Sequence, residues 1–287
     1  MSQADLRELA RQCTNVRLRV LEEVEVAGAG HYGSSLSLVE LLVTLYHRSL
    51  RVRPAEPDWP GRDRFILSKG HGCSALYAVL AEMGFFDLAE LNAFTRLGSM
   101  LGDHPDRRKV PGIDFSSGSL GHGLSVGVGM AQAIRLQDLG GKAVVLIGDG
   151  EQNEGQMWEA AGYAAARRLG NLMAVCDQNG VQVDGTTEET LPIGPLPDKW
   201  RAFGWDVVEV DGHDLAELVA TWERLDAARQ PIGTPTIVFA HTVAGKGIPP
   251  IEGDAAWHVG YLHGPDVDAA VETIRAVHGE LLEGAST

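Results

Sequence analysis

Apolar residues recur along the chain with two spacings, one typical of amphipathic helices and one typical of buried strands. The helical spacing first covers residues 4–27, where a single stripe collects Leu6, Leu9, Ala10, Cys13, Val16, Val20 and Val24. Further helical patterns cover residues 37–48, 74–83, 120–138, 154–169, 214–229 and 266–283. Short apolar runs lie between the later helices, at residues 143–147, 172–176, 207–210 and 236–240. Strands that alternate with helices predict a parallel sheet.

This alternation also indicates the fold class. We expect an α/β fold with a doubly wound parallel sheet and helices on both faces. No repeat, low-complexity segment or linker rich in proline and serine divides the chain, so residues 1–287 are expected to form a single domain. In such sheets, ligands bind at the carboxyl ends of the strands, where glycine-rich loops lead into helices.

Composition narrows the classes of protein to consider. The chain is 44% hydrophobic and 22% charged, which is ordinary for a globular protein. Its 24 Lys and Arg stand against 39 Asp and Glu, and the formal net charge of −15 argues against binding to nucleic acid or to an anionic membrane. Glycine is in excess, with 35 residues and no Gly-X-Y period. The excess predicts tight turns, or places where the backbone comes close to a ligand.

Signals for the cellular compartment are few. The N-terminal residues are polar and do not resemble a secretory signal, and no apolar run approaches the roughly 18 residues that span a bilayer. The three cysteines, Cys13, Cys73 and Cys176, are far apart and form no metal-type pair. Sparse cysteines of this kind are typical of reduced thiols, so we expect a cytoplasmic protein.

A candidate metal site begins where the strand predicted at 143–147 ends in Gly148-Asp149-Gly150. The turn does not match a dinucleotide fingerprint, because residue 153 is Asn rather than Gly. The carboxylate of Asp149 would repel a bare diphosphate, and a divalent cation between the two removes that conflict. A strand-end turn whose aspartate caps the next helix is the alternative interpretation.

A second turn supplies the other ligands of this candidate site. Asn179 follows Asp149 by 30 residues and comes directly after the next predicted strand. A βαβ unit would return it to the same edge of the sheet. An octahedral Mg²⁺ would then bind the carboxylate of Asp149, the amide oxygen of Asn179 and a backbone carbonyl near Val181. A plain turn at Asn179-Gly180 is the alternative.

The two turns together resemble the thiamine diphosphate motif, and further stretches resemble transketolases in particular. In the family's order, these are GHYGSSLS at 30–37, DRFILSKGH at 63–71, GDHP at 102–105, SSGSLGHG at 116–123, GKG at 245–247 and WH at 257–258. The resemblance implies a thiamine diphosphate-binding fold, with thiamine diphosphate and Mg²⁺, or another divalent cation such as Ca²⁺ or Mn²⁺, as cofactors. It also implies transfer of a two-carbon ketol unit from a ketose, or its phosphate, to an aldose or its phosphate.

The same resemblance implies roles for individual residues. The histidines that would face substrate oxygens as catalytic residues are His31, His104 and His258. The cofactor-binding residues would be His71, Gly118, Ser119, Leu120, Gly148, Gly150, Glu151 and Asn179. The metal ligands would be Asp149, Asn179 and Val181. Imidazoles suit the first role because they donate hydrogen bonds and move protons near neutral pH.

Two local departures from the family pattern concern the histidines. The usual Gly-His-Pro-Gly reads Gly30-His31-Tyr32-Gly33 here. Tyr32 adds bulk and a hydroxyl beside a candidate substrate histidine, which indicates either a changed donor or acceptor preference or a change in packing. The residues after His258 also differ from the family pattern.

The chain is shorter than the transketolases it resembles, which continue for two further domains. In the family, those domains carry the glutamate that protonates the aminopyrimidine ring and the arginines that grip the substrate phosphate. We therefore expect the N-terminal subunit of a two-subunit transketolase of carbohydrate metabolism. It would be active only in a heterotetramer, with two copies of a separate subunit that carries the pyrimidine-binding and C-terminal domains.

Three alternatives stay open at this stage. The chain could be the alpha subunit of a 2-oxo-acid dehydrogenase, although it has the Gly-His and Ser-Lys-Gly-His stretches that such subunits lack. It could be a fragment of a 1-deoxyxylulose-5-phosphate synthase. It could also be a non-catalytic subunit that binds the cofactor for regulation or assembly.

Overall fold

The structure, a computed structural model, describes residues 2–183 and 185–284, with side chains up to Val277. The strands are, in chain order, β1 (Arg64–Leu67), β2 (Ala143–Gly148), β3 (Leu172–Gln178), β4 (Val181–Gln182), β5 (Gly185–Thr186), β6 (Asp206–Asp211) and β7 (Thr236–His241). Five of them form a parallel sheet in the order β1-β2-β3-β7-β6, and β4 pairs with β5 in a short antiparallel hairpin.

Helices connect and cover these strands. They are α1 (Gln3–Ala27), α2 (Tyr32–Leu36), α3 (Val39–Arg48), α4 (Cys73–Glu82), α5 (His122–Leu136), α6 (Gly155–Ala166), α7 (Thr187–Thr190), α8 (Leu196–Ala202), α9 (Leu215–Ala228) and α10 (Pro265–Gly284). Helix α1 begins at a capping box between Ser2 and Asp5 and ends at Gly28, whose φ of +73° suits glycine. Among the described residues, no helix is long and apolar enough to cross a membrane.

The sheet separates two apolar cores. Side chains of a strand alternate between its faces, so Val144 and Leu146 of β2 enter one core while Val145 and Ile147 enter the other. Helices α1, α3, α4, α9 and α10 contribute to the first core, and helices α5, α6 and α8 contribute to the second. Every residue of β2 is buried, as expected for a central parallel strand. The predicted parallel sheet with helices on both faces is therefore confirmed.

Differences from the sequence-based elements are local. Strand β1 is absent from the predicted strands, because its buried run is only three residues long and carries no clear period. The helix predicted at 120–138 begins at His122, since Gly121 has a left-handed φ of +83° that a helix cannot include. The helix predicted at 37–48 begins at Val39, after the separate short helix α2.

Helix α1 carries an unusual acid in the first core. Glu23 is 0% exposed, and neither of its carboxyl oxygens has a hydrogen-bond partner in the described part of the chain. Burial, with a smaller effect of the neighbouring Glu22, raises the pKa of Glu23 well above its ordinary value. Burial therefore favours the protonated, neutral form of this side chain in the folded chain.

We expect Glu23→Met to raise the free energy of unfolding by about 1–2 kcal/mol at neutral pH, because an unpaired buried acid is replaced by an apolar side chain of similar length. The folded pKa of Glu23 lies above the unfolded one. Its stabilising contribution is therefore complete below the ordinary value of 4.5 and is lost as the pH rises toward the folded pKa. The advantage of the variant should thus shrink as the pH falls toward 4.5.

Urea unfolding at a series of pH values measures this difference. Glu22→Met is the matched control, since the side chain of Glu22 is 51% exposed and pairs with Arg19 at the surface. It should change stability by less than about 0.5 kcal/mol. A Glu23→Met chain less stable than wild type at neutral pH would contradict the prediction.

Candidate active site

Two of the predicted turns lie side by side at the carboxyl edge of the sheet. The N–H of Gly180, in the turn after β3, donates to Oδ2 of Asp149 over 2.7 Å. The N–H of Gly150 donates to Oδ1 of the same carboxylate over 2.8 Å. Burial, and then the charge of the nearby Asp177, raises the pKa of Asp149 to about 6. This carboxylate thus lies where a cation would be favourable.

Asn179 forms the turn that the alternative interpretation describes and still lies beside Asp149. Its Oδ1 accepts a hydrogen bond from the N–H of Val181 over 3.0 Å, and its Nδ2 donates to Oδ2 of Asp177 over 3.0 Å. Gly180 has a φ of +74°, which the turn requires. Asn179 can therefore form a plain turn with Gly180 and still lie beside Asp149.

The donor set in these turns fits a hard cation. It consists of one carboxylate, one amide oxygen and backbone carbonyls, the oxygen ligands that Mg²⁺ and Ca²⁺ prefer. Among the described residues, no three His, Cys, Asp or Glu side chains group as metal ligands. A cation held here would thus need further oxygens from outside the chain, such as those of a diphosphate.

Glu151 is buried and makes its hydrogen bonds to groups of the protein. Its carboxylate is buried and accepts hydrogen bonds from the hydroxyl of Ser68, from the N–H of Gly121 over 2.7 Å and from the N–H of Gly148 over 3.0 Å. Ser68 follows β1, Gly121 precedes α5, and Gly148 is the last residue of β2. Glu151 therefore joins the loops around the candidate site from within the protein.

The four histidines of the sequence analysis meet in one cluster. The ring centroid of His31 lies 5.3 Å from that of His71, 5.6 Å from that of His258 and 6.4 Å from that of His104. The centroids of His71 and His258 are 5.2 Å apart. The structure thus brings together residues that are up to 227 positions apart in the sequence.

The cluster connects to the two turns. A small cavity beside it is lined by Gly33, Ser34, Asn179, Val181, Ala244, Asp254 and His258. Gly118 lies next to His104, since a Cβ at Gly118 would come 3.6 Å from Cδ2 of that ring. Gly118 and Ser119 are exposed and Leu120 is half-buried, so this segment is open to a ligand. Several predicted residues are therefore neighbours: Asn179, Val181 and His258 line one cavity, and Gly118 lies beside His104.

Burial favours the neutral form of two imidazoles of the cluster, those of His71 and His104. It lowers the pKa of His71 to about 2, with further lowering by Lys69 and the other three histidines. Burial also lowers the pKa of His104, against an opposing effect of Asp103. A neutral imidazole has one N–H donor and one acceptor nitrogen, which suits contacts with sugar hydroxyls.

A buried ion pair ties the loops of this region together. The ammonium group of Lys69 donates to Oδ2 of Asp177, and both side chains are buried. The same carboxylate accepts hydrogen bonds from the hydroxyl of Ser37 over 2.7 Å, from the hydroxyl of Thr242 and from Nδ2 of Asn179. Asp177 thus joins segments from four parts of the chain.

The sequence patterns assign no role to Lys69 or Asp177. Both lie in stretches that carry the family resemblance, two residues before His71 and two before Asn179. A charged residue at the end of a buried strand is a usable signal, because isolated charges are rarely fully buried. That signal is weak for Lys69, since β1 itself is not among the predicted strands.

Tyr32 acts through packing in this structure. Its side chain is 0% exposed, and its ring centroid lies 6.5 Å from that of Trp257. Burial raises the pKa of the Tyr32 hydroxyl. Of the two interpretations of this departure from the family pattern, a change in packing is the one the geometry favours.

Lys69→Met should lower the free energy of unfolding by about 3–5 kcal/mol, because the Asp177 charge then stays buried without its partner. The double variant Lys69→Met/Asp177→Asn should regain part of that loss, since it leaves no buried charge at the pair. Urea unfolding of both variants tests the prediction, with Lys109→Met, a change at an exposed lysine, as control. A Lys69→Met chain as stable as wild type would show that the ion pair does not hold these loops.

Comparison with known proteins gives the family. Residues 9–276 match the family described as "Transketolase, thiamine diphosphate binding domain". The 6-deoxy-6-sulfo-D-fructose transketolase subunit SqwG of Clostridium sp. (strain MSTE9) is 46% identical over 251 residues, which are 88% of this chain and 90% of that protein. An apulose-4-phosphate transketolase subunit of Phocaeicola vulgatus is 41% identical over 269 residues, which are 94% of this chain and 93% of that protein.

Longer relatives match over part of their length. A transketolase variant from Pichia stipitis, known as a crystal structure, superposes with a TM-score of 0.85 at 28% identity, over 100% of this chain and 45% of that one. Transketolase 2 of Xanthobacter flavus is 37% identical over 36% of its own length. This chain therefore spans less than half of these two transketolases. The chain belongs to the family of transketolase thiamine diphosphate-binding domains.

Proposed function

We propose that the chain is the N-terminal subunit of a two-subunit transketolase, which transfers a two-carbon ketol unit from a ketose, or its phosphate, to an aldose or its phosphate. The observation that carries the proposal is the cluster of His31, His71, His104 and His258 beside the turns of Asp149 and Asn179. Side chains that can hydrogen-bond a sugar and oxygens that can bind a cation thus lie at the same edge of the sheet. Two relatives of about the same length are named as transketolase subunits.

The cofactors of this proposal are thiamine diphosphate and Mg²⁺, with Ca²⁺ or Mn²⁺ as other cations of similar ligand preference. Asp149, Asn179 and the carbonyl of Val181 would hold the cation, and the cation would hold the diphosphate. Residues near the phosphates would be His71, Gly118, Ser119, Leu120, Gly148 and Gly150. When bound, thiamine diphosphate supplies the electron sink for breaking and forming a carbon–carbon bond.

The chain's own contribution to the reaction is to bind, orient and exchange protons with the sugar. His31, His104 and His258 would contact substrate hydroxyls and the carbonyl oxygen. Since these imidazoles lie in a partly buried cluster, water competes little for their hydrogen bonds. Each can donate from one nitrogen and accept at the other, as proton transfer to and from a sugar oxygen requires.

A partner subunit completes the proposed enzyme. Residues 1–287 would form a single cofactor-binding domain, and the partner would carry the pyrimidine-binding and C-terminal domains, with two copies of each subunit in the cytoplasm. The share of the longer transketolases that this chain spans, 36% and 45%, supports the division. The transketolase names of the similar subunits disfavour the 2-oxo-acid dehydrogenase and deoxyxylulose phosphate synthase alternatives.

Reconstitution tests the function directly. The purified chain is mixed with the subunit encoded beside its gene, thiamine diphosphate and Mg²⁺, and ketol transfer is measured over a panel of ketose donors. Because relatives are named for a sulfosugar and for apulose 4-phosphate, the panel includes free, phosphorylated and 6-sulfo sugars. We expect turnover only with both subunits, and loss of turnover when the metal is removed with a chelator.

Two outcomes would contradict this assignment. Full turnover by the chain alone would contradict the division of the enzyme into two subunits. Cofactor binding without turnover in any mixture would instead favour the non-catalytic alternative.

Asp149→Asn should weaken metal-dependent binding of thiamine diphosphate by roughly 100-fold or more, because the charged cation ligand is lost. Isothermal titration of the chain and its partner with cofactor and Mg²⁺ measures the affinity, and circular dichroism checks that the variant is folded. Asp198→Asn is the matched control, since the side chain of Asp198 is 69% exposed and pairs with Arg201 on α8. Equal cofactor affinities for wild type and Asp149→Asn would overturn the assignment of Asp149.

A further inference from the structure

One carboxylate lies at the rim of the histidine cluster. Oδ1 of Asp103 is 3.6 Å from Nδ1 of His31, and the side chains are 49% and 16% exposed, respectively. Nδ1 of His31 is buried and makes no hydrogen bond within the described residues. A buried ring nitrogen without a hydrogen bond therefore faces a half-exposed acceptor.

The residue before Asp103 is anchored through its carbonyl, whereas the Asp103 side chain is half exposed. The carbonyl of Gly102 accepts a hydrogen bond from the hydroxyl of Tyr77 on α4 over 3.0 Å, and the thiol of Cys73 lies 3.7 Å from it. The 3.6 Å separation is longer than a hydrogen bond, so a hydrogen bond between the two groups requires a small movement of the half-exposed Asp103 side chain. The contacts of the Gly102 carbonyl thus hold the backbone next to Asp103, and the position of the Asp103 side chain decides whether it binds His31.

A carboxylate decides which nitrogen of a neutral imidazole carries the proton. An ionised carboxylate only accepts hydrogen bonds, so the ring nitrogen that faces it must be the donor. The other nitrogen is then the acceptor. For His31 this arrangement places the proton on Nδ1 and leaves Nε2 with its lone pair.

We propose that Asp103 is a positioning residue that holds His31 as the Nδ1–H tautomer, so that Nε2 is the acceptor for a substrate hydroxyl. The role of the substrate hydroxyl rests on the transketolase function proposed above. The tautomer of His31 rests only on the geometry of Asp103 and His31.

The charges around the pair agree with this arrangement. The nearby imidazole of His31 lowers the pKa of Asp103 below its ordinary value, so this carboxyl is ionised at neutral pH. The imidazoles of His71, His104 and His258 also lie near the ring, and burial keeps His71 neutral. The Lys69 ammonium near His71 is already paired with Asp177.

Nitrogen-15 NMR of the histidines tests the tautomer. The full chain is labelled at histidine, and long-range proton–nitrogen correlations identify the protonated ring nitrogen, with His31→Gln to assign the signal. We expect Nδ1–H at His31 in the wild type and a mixed or Nε2–H form in Asp103→Asn, since an amide can also donate to Nδ1. Asp106→Asn is the matched control in the same loop, because the Asp106 carboxylate binds Arg108 and Ser116 instead.

Turnover of the two-subunit enzyme tests the consequence. We expect Asp103→Asn to lower kcat/KM about 10–100-fold, the usual effect of losing a partner that orients a functional histidine. Asp106→Asn should stay within about twofold of wild type.

Three results would overturn the proposal: an Nε2–H tautomer of His31 in the wild type, an unchanged tautomer in Asp103→Asn, or a changed tautomer with unchanged kcat/KM. The NMR measurement needs no turnover. A wild-type chain with the Nδ1–H tautomer and no ketol transfer would therefore contradict the proposed function and leave the Asp103–His31 pair supported.

Discussion

The candidate site depends on the buried ion pair between Lys69 and Asp177. Removing a carboxylate from water costs several kcal/mol, and only a saturated set of donors offsets that cost. Asp177 is 0% exposed, and its donors reach it from the ends of β1, α2 and β7 and from the turn after β3. Three of these segments contain or adjoin a candidate site residue: Lys69 precedes His71, α2 follows His31, and Asn179 is itself one. The chain must bring them together to bury Asp177, and the same step assembles the site.

Glycine residues allow the loops of this region to pack closely together. The glycine excess in the composition predicts tight turns and ligand approach, but not this packing of loops. A Cβ at Gly70 would lie 2.6 Å from Oγ of Ser117, and one at Gly121 would lie 2.7 Å from Cβ of Glu154. These glycines bring protein segments against each other. At Gly118, in contrast, a Cβ would meet only the ring of His104, at 3.6 Å, so this backbone faces open space. The glycine excess therefore serves loop packing as well as the approach of a ligand.

The parts of the fold that can be predicted from the sequence are those that follow from local periodicity and connection rules. Strands β2 and β3 are long apolar runs, and the βαβ rule is enough to bring Asn179 next to Asp149. The Lys69–Asp177 pair is not predictable, because its members are 108 residues apart and nothing local marks them as partners. The orientation of Tyr32 toward Trp257 is likewise a matter of tertiary packing. Local sequence patterns thus predict the positions of helices and strands, whereas the partners of buried side chains depend on how the loops assemble.

The electrostatics of this edge of the sheet explain why an acidic protein can bind an acidic cofactor. The formal net charge is −15, and Asp149, Glu151 and Asp177 are all buried near the proposed diphosphate position. Repulsion from Asp177, added to burial, is one reason why the pKa of Asp149 rises to about 6. A divalent cation between Asp149 and a diphosphate would reverse that repulsion, since it attracts both groups at once. The same carboxylate that would exclude a bare diphosphate would then couple binding of the cofactor to binding of the metal.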